Sequence, residues 1–131
     1  MVLLFAMWQC GSALWKGAKK SDPAVQRFHQ HLNAEEYEQI CSEAVEGLQT
    51  GPNHDEMIKL LRAVHKKLGN VQNSKRTNLS INTNTQGTFT TGTYETKFDK
   101  TTATESLTWI NDGETLKLYS YNIQSNALVT E

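Results

Sequence analysis

A chain of 131 residues, 37% hydrophobic and 21% charged, has the size and make-up of one folded domain. Its net charge of −1 is unevenly placed: Lys16, Lys19 and Lys20 meet no acid in residues 1–20, which leaves 10 bases against 14 acids in the remainder. That mildly acidic remainder carries no basic stripe and argues against a nucleic-acid partner, since Lys66-Lys67 and Lys75-Arg76 are too sparse to neutralise a phosphate backbone.

Met1 to Trp15 is nearly free of charge and rich in large apolar residues, and Lys16, Lys19 and Lys20 follow it. A spanning helix needs ~20 apolar residues, and this run is shorter and diluted by Gln9, Gly11 and Ser12. A cleaved signal peptide has its basic residues before the apolar run and small residues after it, the reverse of what stands here. Met7-Trp8-Gln9 also lacks the small residues that precede a lipidated cysteine. The stretch is therefore expected to be the C-terminal part of a membrane anchor that begins further upstream. A short uncleaved anchor and an amphipathic helix packed on the domain are the alternatives. Residues 1–20 are read as an apolar leader and 21–131 as a single α+β domain. Basic residues after the span favour a cytoplasmic domain, although an upstream segment would outvote them. Cys10 in the leader and Cys41 on a helix make no disulfide framework, and without a Cys-x-x-Cys no structural zinc spacing exists.

Ser21-Asp22-Pro23 reads as a helix start, with Val25, Phe28 and Leu32 forming an apolar face behind it. Asn33 with Glu36 three residues on reads as a second start, and Tyr37, Ile40, Cys41, Ala44 and Leu48 as its stripe. Gly47 and Thr50-Gly51-Pro52 end it. After Asn53, the spacing of Met57, Leu60, Leu61, Val64 and Leu68 predicts a third helix stopped by Gly69. From Val71 the pattern changes to Thr, Asn and Ser, with β-branched and aromatic residues at alternate positions. Leu79, Ile81 and Thr83 mark a first strand. Phe89 and Thr91, then Tyr94, Thr96 and Phe98, mark a second whose phase slips at Gly92, as a β-bulge would make it. Ala103, Glu105, Leu107 and Trp109 share a face of a third. Asp112-Gly113 is a hairpin turn signal, and Leu116 to Ile123 make a fourth strand. The expected fold is α+β: N-terminal helices packed on a curved four-stranded antiparallel sheet.

Four segments carry a resemblance: Phe28 to Tyr37, Leu61 to Gly69, Thr93 to Phe98, and Leu118 to Ile123. Over roughly residues 21–129 the chain resembles small bacterial envelope domains of unknown function with a cystatin-like or nuclear-transport-factor-2-like fold. The resemblance implies a domain associated with the bacterial cell-envelope membrane through residues 1–15. It leaves function open, because such folds host enzymes, transport factors and accessory domains alike.

His29 and His31, two apart on a helix, fall on different faces and cannot chelate one metal together, and all four histidines, His54 and His65 included, read as surface or capping residues. No metal, cofactor or catalytic residue is assigned. Cys41 lies on an apolar stripe beside Glu43, the wrong sign to activate a thiol, so it reads as a buried structural residue. Enzymes of the nuclear-transport-factor-2-like group keep an acid–base pair inside the cavity, and Glu105 is the one strand acid facing that way, with no histidine on its own strand. The Gln-x-Val-x-Gly hairpin of cystatin inhibitors is missing. Tyr94, Phe98, Glu105, Trp109, Tyr119 and Tyr121 are the candidate pocket lining, while the aromatics among them read first as the core itself.

The expected function is a non-enzymatic binding or interaction domain, tethered to a membrane, whose partner is a protein or a small apolar ligand. A small isomerase- or dehydratase-like enzyme and a sheet-mediated homodimer are the alternatives.

Overall fold

The structure of the protein, a computed structural model, describes residues 13–113 and 115–125, with side chains from Asp22 onward. Helix α1 (Ala13–Asn33) leads to the short α2 (Tyr37–Ser42), a 3-10 turn (Glu46–Leu48) and α3 (Pro52–Leu68). Strands β1 (Val71–Asn84), β2 (Gly87–Phe98), β3 (Thr102–Asp112) and β4 (Thr115–Gln124) follow, paired antiparallel in chain order. The α+β order expected from the pattern, helices and then a four-stranded antiparallel sheet, is the observed one.

Alternation decides which sheet face meets the helices. On β2, Thr90, Gly92, Tyr94, Thr96 and Phe98 point inward while Glu95 and Lys97 are exposed. On β3 the inward set is Ala103, Glu105, Leu107 and Trp109. Val25, Phe28 and Leu32 of α1, Tyr37, Ile40 and Cys41 of α2, and Met57, Ile58, Leu61, Val64 and Leu68 of α3 join them in one core. Leu61 and Leu68 are fully buried, and truncating either to Ala costs about 2–5 kcal/mol.

Three local features depart from the sequence pattern, each for a physical reason. The helix start expected at Ser21-Asp22-Pro23 is absent: α1 runs through that point with Pro23 inside it, at the loss of one helical hydrogen bond. The Asp22 carboxylate instead takes two bonds from Arg76 Nη1, at 2.8 and 2.7 Å.

The second helix is shorter than its stripe. α1 ends in a Schellman closure, with the Glu36 N–H on the His31 carbonyl at 2.8 Å, the Glu35 N–H on that of Leu32 at 3.1 Å, and Glu35 at φ 60°. Asn33 is thus a last helical residue, and its amide brackets the Val71 backbone, accepting the N–H at 2.8 Å and donating to the carbonyl at 3.3 Å. α2 stops at Ser42 because Ala44 forms a parallel bridge with Leu118, and the Val45 N–H donates to the Leu118 carbonyl at 2.9 Å.

The bulge expected at Gly92 lies elsewhere. β2 and β3 pair without interruption from Phe89 to Lys97, and Phe89 belongs to the open face. Gly92 is glycine because the Tyr94 ring lies over it: a Cβ there would sit 2.8 Å from a ring carbon. The extra residues are Gln72 and Thr77 on β1 and Tyr119 on β4. The Tyr119 bulge turns that ring outward, 47% exposed, and lets both Leu118 and Tyr121 face inward. The β3–β4 connection is the expected tight turn, with Asp112 opposite Thr115 and Gly113 at φ 68°.

Among the described residues no helix is long and apolar enough to cross a membrane. Residues 1–12, most of the apolar leader, lie outside the described residues.

Candidate functional site

α1 and β1 run side by side in opposite directions and are joined at two places, Asp22 to Arg76 and Asn33 to Val71. Between these joints the helix advances ~16 Å at 1.5 Å per residue, and the strand advances ~16 Å at 3.3 Å per residue. The matched lengths allow both joints to close without bending either element. Between them lies a groove of about 470 Å³. Gln26, His29 and Gln30 line it from α1, Asn73 and Ser74 from β1, and Tyr94 from β2. The Tyr94 hydroxyl also donates to Asp22 Oδ1 at 3.3 Å, which steadies the acid from the sheet side.

Under this groove sits Glu105, fully buried. Its two oxygens take three side-chain hydrogen bonds: His29 Nε2 on Oε1 at 2.7 Å, Thr96 Oγ1 on Oε1 at 2.6 Å, and the Tyr121 hydroxyl on Oε2 at 2.5 Å. Burial pushes the Glu105 carboxyl pKa up, but the His29 bond and charge and the two hydroxyls outweigh it, and the net direction is down. Tyr121 is driven well above its ordinary pKa by burial and by the Glu105 charge, so it remains a donor. Ser74 Oγ lies 2.8 Å from Thr96 Oγ1. Two groove-lining groups, His29 directly and Ser74 through Thr96, are therefore hydrogen-bonded back to one buried carboxylate. A lone buried carboxylate costs several kcal/mol, and only this full set of donors makes it tolerable.

The candidate lining residues separate into four places. Tyr94 alone lines the groove, and Glu105 and Tyr121 support it from beneath. Phe98 is packed into the core, 1% exposed. Trp109 borders a small cavity of about 70 Å³ with Phe28, Ile40 and Leu118. Tyr119 stands on the far side of β4, beside a shallow depression formed with Leu48, Met57 and Leu60. Its ring meets Phe89 edge-on at 5.0 Å.

His29 is the member that reading by strand missed. It is 6% exposed, where a surface histidine was expected. The signal was its spacing, four residues after Val25 and three before Leu32, which places it on the apolar stripe of α1. Cys41 is buried as expected, and burial followed by the nearby Glu38 charge pushes its thiol up to about 11. Among the described residues no three His, Cys, Asp or Glu side chains converge as a metal site would need.

The family described as proteins of unknown function (DUF4019) matches residues 24–121, a span that includes the groove apart from Asp22 and the whole Glu105 cluster. No curated protein and no solved structure matches the chain significantly.

Proposed function

The chain belongs to the DUF4019 family of proteins of unknown function, and we propose that it is a binding domain whose ligand, a small polar molecule, occupies the groove between α1 and β1. One observation carries this reading. Groove-lining His29 is hydrogen-bonded to a fully buried carboxylate, an arrangement that core packing does not require and that presents a polar surface of fixed geometry. The lining supports a polar rather than an apolar ligand, because Phe98, Trp109 and Tyr121 are used in the core and Gln26, Gln30, Asn33 and Asn73 bring four amides to the walls. The apolar leader supports tethering of this domain to a membrane through residues 1–15. N-terminal sequencing of the native protein from a membrane fraction tests the tether, and a soluble protein beginning at Met1 overturns it.

The binding reading is tested by titrating the ¹⁵N-labelled chain with amino acids, monosaccharides and dipeptides. Amide shifts clustered at Gln26, Gln30, Asn73 and Ser74 are expected. Shifts confined to the Leu48–Leu60–Tyr119 side, or none with any probe, overturn it.

The same His29–Glu105 pair favours one second reading, an isomerase- or dehydratase-like enzyme in which His29 takes a proton from a carbon beside a carbonyl. Deuterium uptake from heavy water into a 2-hydroxy ketone, lost in His29→Gln, would support that reading. Equal uptake with both proteins would dismiss it.

A further inference from the structure

The two edges of the sheet are treated differently. The β4 edge is occupied where Ala44 bridges Leu118 and the Val45 N–H donates to the Leu118 carbonyl. On β1, the hydrogen bonds from α1 among the described residues reach Val71 and Arg76 and go no further. Beyond them the strand keeps unbroken register with β2 from Asn78 to Asn84, ~20 Å of edge at 3.3 Å per residue. Among the described residues no other backbone pairs with that run, so every second residue turns a free N–H and C=O outward. Both bulges of β1, at Gln72 and Thr77, lie upstream of it. The run itself holds no Pro and no charged residue, the devices that keep a sheet edge from pairing.

The residues of this edge select what can pair with it. Thr77-Asn78-Leu79-Ser80-Ile81-Asn82-Thr83 reads the same by residue class from either end. Antiparallel pairing of two copies about Ser80 therefore sets Thr77 against Thr83, Asn78 against Asn82 and Leu79 against Ile81 of the second copy, with Ser80 on the axis. The faces match as well. Leu79 stands opposite Gly92 and Ile81 opposite Thr90, both on the core side of β2, yet Ile81 is 47% exposed. A two-fold axis normal to the sheet keeps the core sides of the two copies together, so both Leu79 and both Ile81 side chains meet in one apolar cluster. Lys75 and Arg76 lie five and four residues from the axis, so each falls ~26 Å or more from its counterpart and no like charges oppose.

We propose that the free edge of β1 is an interface for a second copy of this chain, which adds antiparallel in register about Ser80 and joins the two four-stranded sheets into one. About six to eight main-chain hydrogen bonds form across the joint. The joint is short and belongs to the small, transient class of interface that buries less than about 1,200 Å², so a dissociation constant on the order of 100 μM is expected. The interface is independent of the ligand groove, whose β1 wall ends at Arg76.

Sedimentation of the full chain from about 10 μM to about 1 mM should show reversible dimers at the upper end. Ser80 is exposed on the wet face, paired with Thr91 within its own sheet and opposed to itself across the axis. Ser80→Lys and Ser80→Glu therefore each set like charges face to face, and each should be monomeric with an unchanged melting temperature. Mixed one to one, the two variants should dimerise at least about fivefold more tightly than either alone, because only a register about this residue puts the Lys against the Glu. A native chain that stays monomeric at about 1 mM leaves the edge to another partner or to none, and overturns the proposal. Dimers that persist in either variant alone, or a mixture no tighter than its parts, place the contact elsewhere on the chain and overturn it too. So does concentration-dependent amide broadening confined to Leu48, Leu60 and Tyr119 rather than to Asn78, Ser80 and Asn82.

Discussion

Helix α1 divides two clefts built from the same helix, and they could hardly be less alike. On one side His29 faces the groove and bonds a carboxylate that belongs to the sheet, fully buried and held by three donors. On the other, His31 bonds Glu36 through Nδ1 at 2.8 Å, and its Nε2 lies 3.8 Å from Glu43, too far for a hydrogen bond and buried without a partner. That second cleft is a cavity of about 70 Å³ against the groove's 470 Å³, lined mostly by apolar side chains, with Arg27 and Glu43 paired at its rim. Two histidines a step apart thus receive opposite treatment: one is built into a buried network, the other is edged by the more exposed acids Glu36 and Glu43. The polar investment of this fold is on the β1 side, and that is where a ligand site is to be sought.

The largest test of that asymmetry removes its centre. Glu105→Ala leaves His29 and Tyr121 with buried donors and no acceptor, and is expected to cost about 3–5 kcal/mol in denaturant unfolding. His29→Leu strands the carboxylate instead and should fall in the same range, whereas His31→Leu, which removes an imidazole that already lacks one partner, should stay within about 1 kcal/mol. Equal costs for the two histidine variants would erase the distinction between the clefts. A smaller effect is expected at Gly92. Its Cβ would press on the Tyr94 ring at 2.8 Å, so Gly92→Ala should cost about 1–3 kcal/mol and disturb amides along the groove. Gly47→Ala, where a Cβ meets nothing within 4 Å, is the control and should change stability by no more than about 0.5 kcal/mol.

How much of this was legible beforehand follows from what each feature depends on. The third helix and the strand alternation depend on period, which a chain displays openly, and Met57, Leu61, Val64 and Leu68 are buried as their spacing required. Glu105 could be singled out because its neighbours on the same face, Leu107 and Trp109, are apolar. Its partner could not be found from the same strand, because β3 meets α1 only through tertiary packing across 76 positions of sequence. The bulges were misplaced for a similar reason. A phase change in the side-chain pattern shows that a residue is extra somewhere, but Thr77 and Tyr119 are identified only by the register of the partner strand. Pro23 inside α1 and the early end of α2 likewise reflect tertiary contacts, Asp22 with Arg76 and Ala44 with Leu118, overriding local helix signals.

Acid titration provides the finest comparison of the two clefts. The Arg27 hydrogen bond, with help from Gln39 and the charges of Arg27 and His31, draws the Glu43 carboxyl pKa down to about 2 from the ordinary 4.5. A carboxyl whose folded pKa is depressed stabilises the fold above its unfolded value and loses that contribution as the pH falls through the folded one. Glu43 should therefore make stability decline between about pH 4.5 and pH 2, and Glu43→Gln should flatten the curve in that window. Glu105, also shifted down, contributes in the same direction, so a slope should remain in the variant. Salt tells the two contributions apart. The Glu43 side chain is 34% exposed and Arg27 60%, so ~1 M salt should screen their share, while the share of fully buried Glu105 should persist. A residual slope that vanishes in salt would mean that the Glu105 cluster is open to solvent, and the contrast between the two sides of α1 would fall with it.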